Sequence, residues 1–140
     1  MKTINVVGCF LKYNNTFLIF LRAPHKKHGG TWGLVAGAVP ENESHEEAMV
    51  REIKEETGLS VDPDQLVFLY NYSHDAQYND EQGVVINFTA YKVDLEEPVK
   101  ITESPSEHID HKWVTLEECY SRSDLIIAFH ELLDAVRSKI

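Results

Sequence analysis

The run Gly37-Ala38-Val39-Pro40-Glu41-Asn42-Glu43-Ser44-His45-Glu46-Glu47-Ala48-Met49-Val50-Arg51-Glu52-Ile53-Lys54-Glu55-Glu56-Thr57-Gly58-Leu59 decides how this chain folds. Ser44 followed three residues on by Glu47 is the sequence signature of a capping box, and Gly58 stands where a helix would close with a left-handed residue. A helix from Ser44 to Thr57 is predicted. On it Glu52, Glu55 and Glu56 fall at i, i+3 and i+4, so three carboxylates share one face. Like charges at these spacings destabilise an isolated helix by about 0.2 to 0.5 kcal/mol per pair, which calls for a counterion. A solvated acidic face is the bland alternative. Hard oxygen donors with open positions suit Mg²⁺, and Mn²⁺ as well.

Upstream, Ile4 to Lys12 and Thr16 to Leu21 read as two strands of a hairpin turning at Asn14-Asn15. A loop from Arg22 to Gly30 is basic for this chain, and a short strand is expected from Thr31 to Val35. Downstream, strands are expected over Leu66 to His74 and Val84 to Val93, joined by a turn at Asn79 to Gly83, with another at Lys112 to Val114. Leu125, Phe129, Leu132, Leu133, Val136 and Ile140 carry the spacing of an amphipathic helix. The expectation is one α+β domain over residues 1–140, a mixed sheet between helices.

Thirteen basic against 23 acidic side chains leave a formal charge of -10. That argues against a nucleic-acid polymer or an anionic membrane as partner, since phosphate backbones demand Lys and Arg. Cys9 and Cys119 sit in no metal-ligand spacing, and no apolar run is long enough to cross a bilayer. The start of the chain does not read as a signal peptide, and a cytoplasmic location is expected.

The frame around the glutamates is specific: Gly37, five residues, Glu43, seven residues, then Arg51-Glu52-Ile53-Lys54-Glu55-Glu56-Thr57-Gly58-Leu59. It resembles the Nudix box, and the lead-in Gly29-Gly30-Thr31-Trp32-Gly33-Leu34 is similar to that of MutT-like members. The resemblance implies an α/β/α sandwich and hydrolysis of a pyrophosphate bond in a nucleotide-like substrate. It implies a catalytic set of Arg51, Glu52, Glu55 and Glu56, with the metal held by the three glutamates and often by the Gly37 carbonyl. Arg51 would orient the catalytic glutamate, Glu43 would brace the loop and helix start, and Gly58 would close the helix. A carboxylate outside the box is expected to join the site, Glu107 or Glu103, and the general base is Glu52 or that outside glutamate. Two departures stand out: Val35-Ala36 where many relatives have Pro-Gly, and Asn42 where a glycine commonly precedes the first box glutamate.

Arg22 and Lys26 are the candidates for meeting substrate phosphates, against the alternative of a solvated loop. His108 and His111 lack further ligands at zinc spacing. Of Tyr70, Tyr72, Tyr78 and Phe88, one could stack on a base. The favoured substrate is a (d)NTP, cut to NMP and pyrophosphate, with ADP-ribose or a nucleotide sugar second. Rival readings are a Nudix-fold sensor without turnover and an acidic Ca²⁺ module, and a homodimer is left open.

Overall fold

The computed structural model describes residues 2–78, 81–101 and 107–140. Seven strands, β1 Lys2–Tyr13, β2 Thr16–Arg22, β3 Trp32–Gly33, β4 Val35–Ala38, β5 Val67–Tyr78, β6 Glu81–Leu95 and β7 His108–Thr115, make one mixed sheet. The helices are α1 His45–Thr57, α2 Leu116–Tyr120 and α3 Phe129–Val136, with a 3₁₀ turn at Pro63–Gln65.

β1 is the spine of the sheet. It runs parallel to β6 from the pair Lys2 and Val84 to the pair Tyr13 and Leu95. On its other side it pairs first with β4, Val6 opposite Ala38 through Cys9 opposite Val35, and then with β2 through the Asn14-Asn15 hairpin. Asn14 has φ 55, a left-handed conformation that asparagine adopts more readily than most residues. β2 carries β3 and β7 in turn.

Strand alternation builds two cores. Val7, Cys9, Leu11, Leu18 and Phe20 point to one face, where Ala48, Met49 and Ile53 of α1 cover them. Phe10, Phe17 and Ile19 point to the other, against Phe129, Leu132, Leu133 and Val136 of α3. The result is the expected α/β/α sandwich, with the sheet buried between helices.

α1 forms as its caps dictate. Ser44 Oγ accepts from the Glu47 amide, the Glu47 carboxylate accepts from the Ser44 amide, and Gly58 closes the helix at φ 82. The two departures from the box pattern cost no backbone strain, since neither Ala36 nor Asn42 has positive φ.

Three expectations need correction. The strand expected from Thr31 to Val35 is two pieces: Leu34 lies where the chain leaves β2 as a partner and takes up β1. The apolar stripe from Leu125 to Ile140 is longer than its helix. Leu125 bridges to Trp32, the Ile126 amide donates to the Trp32 carbonyl, and Ala128 at φ 70 breaks the helical path before α3. Strands β5 and β6 extend further than expected, to Tyr78 and from Glu81, and Asn79 and Asp80 of the expected turn lie outside the described residues. The short helix α2 was not foreseen, although Thr115 and Glu118 form a capping box at its start.

Candidate active site

α1 packs its carboxylate face toward β4, and the closest approach is at Gly37. A Cβ on Gly37 would run into the Glu52 carboxylate, so this position requires a glycine for space and not for backbone freedom. The three carboxylates lie at graded depth, with side chains 57% exposed at Glu55, 15% at Glu52 and 6% at Glu56.

Arg51 ties the outer part together. Its Nε donates to both oxygens of Glu43 at 3.0 Å, and its Nη1 donates to Glu52 at 2.9 Å and to Glu55 at 3.2 Å. Burial works to lower the basicity of the guanidinium, but the bonds from Glu43 and Glu52 outweigh it and hold the group above its ordinary range.

Glu56 is in a different position. Burial raises its carboxyl well above the usual range, and the adjacent Glu52 carboxylate and then Glu107 push the same way, against the lowering influence of the Ala36 amide. Its Oε1 lies 3.5 Å from His108 Nε2, and its Oε2 is buried with no hydrogen-bond partner among the described residues. A buried carboxylate oxygen without a donor, beside a second carboxylate, fits a hard divalent cation. Among the described residues no three acidic, His or Cys side chains are already drawn together as a metal cage; Glu52 and Glu55 are both turned to Arg51.

The glutamates open into a cavity of about 830 Å³. Arg22, Lys26 and Lys27 line its cationic rim with His25 and His28 beside them, and Tyr72, His74, Phe88 and Ile127 line its far end. Arg22 spends its Nε on the Lys27 carbonyl, 3.0 Å away, which folds the basic loop back on itself. Lys26 Nζ pairs with Glu107 at 3.0 Å, so the lysine expected at phosphate and the glutamate expected at metal are held to each other. Glu103, the other outside candidate, lies outside the described residues. Gly37, Glu52, Glu55, Glu56, Glu107, Arg22 and Lys26 all line the one cavity; Glu43 and Gly58 stand behind it, on Arg51 and at the helix end.

Two sets of residues were not foreseen at the site. His108 was weighed only for zinc with His111, whereas its place is against Glu56. The apolar end is built by parity: Tyr72 pairs with Phe88 and His74 with Ile86, so all four side chains leave β5 and β6 on one face. Of the aromatics singled out earlier, Tyr72 and Phe88 line the cavity and Tyr70 packs against the core under α3.

The site is thus a carboxylate-bearing helix pressed on the Gly37 strand of a mixed sheet between helices. The NUDIX domain model matches residues 2–133, and the chain belongs to that family. It is 28% identical over 136 residues to a MutT-like protein of Streptomyces ambofaciens, covering 97% of this chain and 78% of the relative. It is 30% identical over 93 residues to a CTP pyrophosphohydrolase of Escherichia coli, covering 66% of this chain and 64% of that protein. Among solved structures, a MutT NUDIX hydrolase from Burkholderia pseudomallei superposes with a TM-score of 0.79 at 23% identity, covering 97% and 99% of the two chains. Proteins of this family work with a divalent cation on nucleotide-like substrates. No helix of the described residues is long and apolar enough to cross a membrane.

Proposed function

We propose that the chain hydrolyses a nucleoside triphosphate, ribo or deoxy, to the monophosphate and pyrophosphate with Mg²⁺ at Glu52, Glu55 and Glu56. The observation that carries this reading is the chemistry of the cavity. One 830 Å³ space has an acidic wall, a cationic rim and an aromatic end, which complement the cation, the phosphates and the base of a metal-bound nucleotide.

Tyr72 and Phe88 offer ring faces to a base, a contact worth about 0.5 to 1.5 kcal/mol beyond the area buried. Arg22 presents its remaining guanidinium donors to phosphate oxygens, and Lys26 does so on leaving Glu107. That exchange frees the Glu107 carboxylate at the moment substrate enters. When bound, Mg²⁺ supplies charge neutralisation and polarisation of the phosphoryl oxygens. Water attacks one phosphorus, the anhydride P–O bond breaks toward pyrophosphate, and the water proton passes to Glu52 or to Glu107. Arg51 holds Glu52 in place for this through its bond to Oε1 and its anchor on Glu43. Mn²⁺ is expected to substitute, since the donors are all oxygens.

The CTP pyrophosphohydrolase among the relatives supports a triphosphate over ADP-ribose or a nucleotide sugar. The test is phosphate and pyrophosphate release from NTPs, dNTPs including oxidised ones, ADP-ribose and nucleotide sugars, with Mg²⁺, Mn²⁺ or EDTA. Metal-dependent pyrophosphate release from triphosphates supports the proposal. Cleavage confined to ADP-ribose or a nucleotide sugar replaces it, and silence of a folded, metal-loaded chain turns the reading to a sensor. Two free buried cysteines are consistent with a cytoplasmic setting. For a homodimer, the available surface is the outer edge of β5, where Val67 and Phe68 are exposed; sedimentation velocity decides it.

A further inference from the structure

The two oxygens of Glu56 have different surroundings: Oε1 faces His108 Nε2 and Oε2 is buried without a donor among the described residues. His108 is itself only 4% exposed. Its ring lies flat on Phe20, with centroids 4.3 Å apart and planes at 19°, and Phe20 is wholly buried. The core under α1 therefore sets the plane of the imidazole. The backbone sets its position: His108 opens β7 opposite Arg22, at a register shift that lets Ile109 turn out to solvent while His108 stays inside. His111, further along, is 6.3 Å from Phe20 with its plane at 58°, and so is not held in the same way.

We propose that His108 is a positioning residue for the metal site: clamped against Phe20, it engages Glu56 Oε1 and so leaves Oε2 turned to the cation beside Glu52. The physical reason is that a carboxylate ligand with one oxygen held has one rotamer to offer, and groups that orient ligands in this way set metal affinity. The inference rests on the metal reading of Glu52, Glu55 and Glu56. Packing alone does not require a histidine here, because a phenylalanine at 108 offers the same stack on Phe20 with a somewhat larger ring and no N–H for Glu56.

That difference supplies the experiment. The full chain, free of nucleotide, is titrated with Mn²⁺ while the EPR signal of free aqueous Mn²⁺ is followed, for the parent and for His108→Phe, His108→Gln and Glu56→Gln. In His108→Phe the dissociation constant is expected to rise about 10- to 100-fold, with recovery in His108→Gln, whose amide N–H reaches toward the same oxygen. Parent-like affinity in His108→Phe overturns the inference. Absence of Mn²⁺ binding by the parent, or parent-like binding by Glu56→Gln, overturns the metal reading instead, so the two failures are told apart. Should His108→Phe fail to fold, the ring ¹⁵N resonances of the parent serve: saturation with Mg²⁺ is expected to shift the His108 Nε2 signal, and saturation that leaves it unmoved overturns the inference.

Discussion

The two ends of the cavity are made by different means. At the acidic end one helix supplies Glu52, Glu55 and Glu56, and their spacing on it follows from 3.6 residues per turn. At the far end Tyr72 and His74 come from β5, Ile86 and Phe88 from β6, and Ile126 and Ile127 from the segment before α3. The first end is local in sequence, with Glu43, Glu52 and Glu55 tied together by Arg51. The second is assembled from three distant segments and holds its shape by packing. The chemistry should therefore be brittle and the choice of substrate pliable.

Glu56→Gln should produce the largest effect, a loss of kcat on the order of 10³-fold or roughly 4 kcal/mol, measured on the proposed triphosphate substrate at saturating Mg²⁺. A loss under tenfold would remove Glu56 from the metal site. Gly37→Ala comes next, because its methyl displaces the Glu52 carboxylate: kcat should fall by about 100-fold with little change in Tm in EDTA. Arg22→Ala tests the rim, and KM should rise roughly tenfold, the size of one lost charge-assisted contact, with kcat nearly kept. An unchanged KM would leave Arg22 as a brace for its own loop.

Smaller effects lie in stability. The Glu56 carboxyl is raised in the fold by burial first, so its contribution is present below the ordinary carboxylate range and is lost as pH rises through the raised value. In EDTA, the parent should therefore lose Tm relative to Glu56→Gln as pH climbs from 5 to 8. Parallel Tm profiles of the two proteins would contradict the assignment. The smallest change is expected at the pliable end: Ala128→Gly, at φ 70, relieves a strained backbone and should raise stability by about 1 kcal/mol in urea melts. A decrease would mean that Ala128 is held there by its side chain and not merely tolerated.

What could be read in advance divides along the same line. Helix α1 was legible because capping, period and charge all point to one answer between Ser44 and Gly58. The hairpin β1–β2 was legible through its β-branched runs. The segment from Ser121 to Ala128 was not, because its placement depends on backbone bonds to Trp32 and on the Arg122–Asp124 pair, neither of which has a periodic signal. His108 escaped for a related reason: a lone histidine at a strand start says nothing until Phe20 and Glu56 are known to meet it. The pairing of Lys26 with Glu107 joins residues 81 positions apart, beyond the reach of any local pattern.

The parallel pairing of β1 with β6 has a bearing on how the chain is made. Lys2 waits for Val84 and Tyr13 for Leu95, so the central strand leaves the ribosome about 80 residues ahead of the neighbour that covers its edge, or roughly 4 to 16 s at ordinary translation speeds. During that interval the hairpin with β2 and the pairing with β4 can form, and α1 can settle on Val7, Cys9 and Leu11. The carboxylate helix and its glycine strand can thus meet during synthesis before β5, β6 and the residues at the far end of the cavity have emerged from the ribosome.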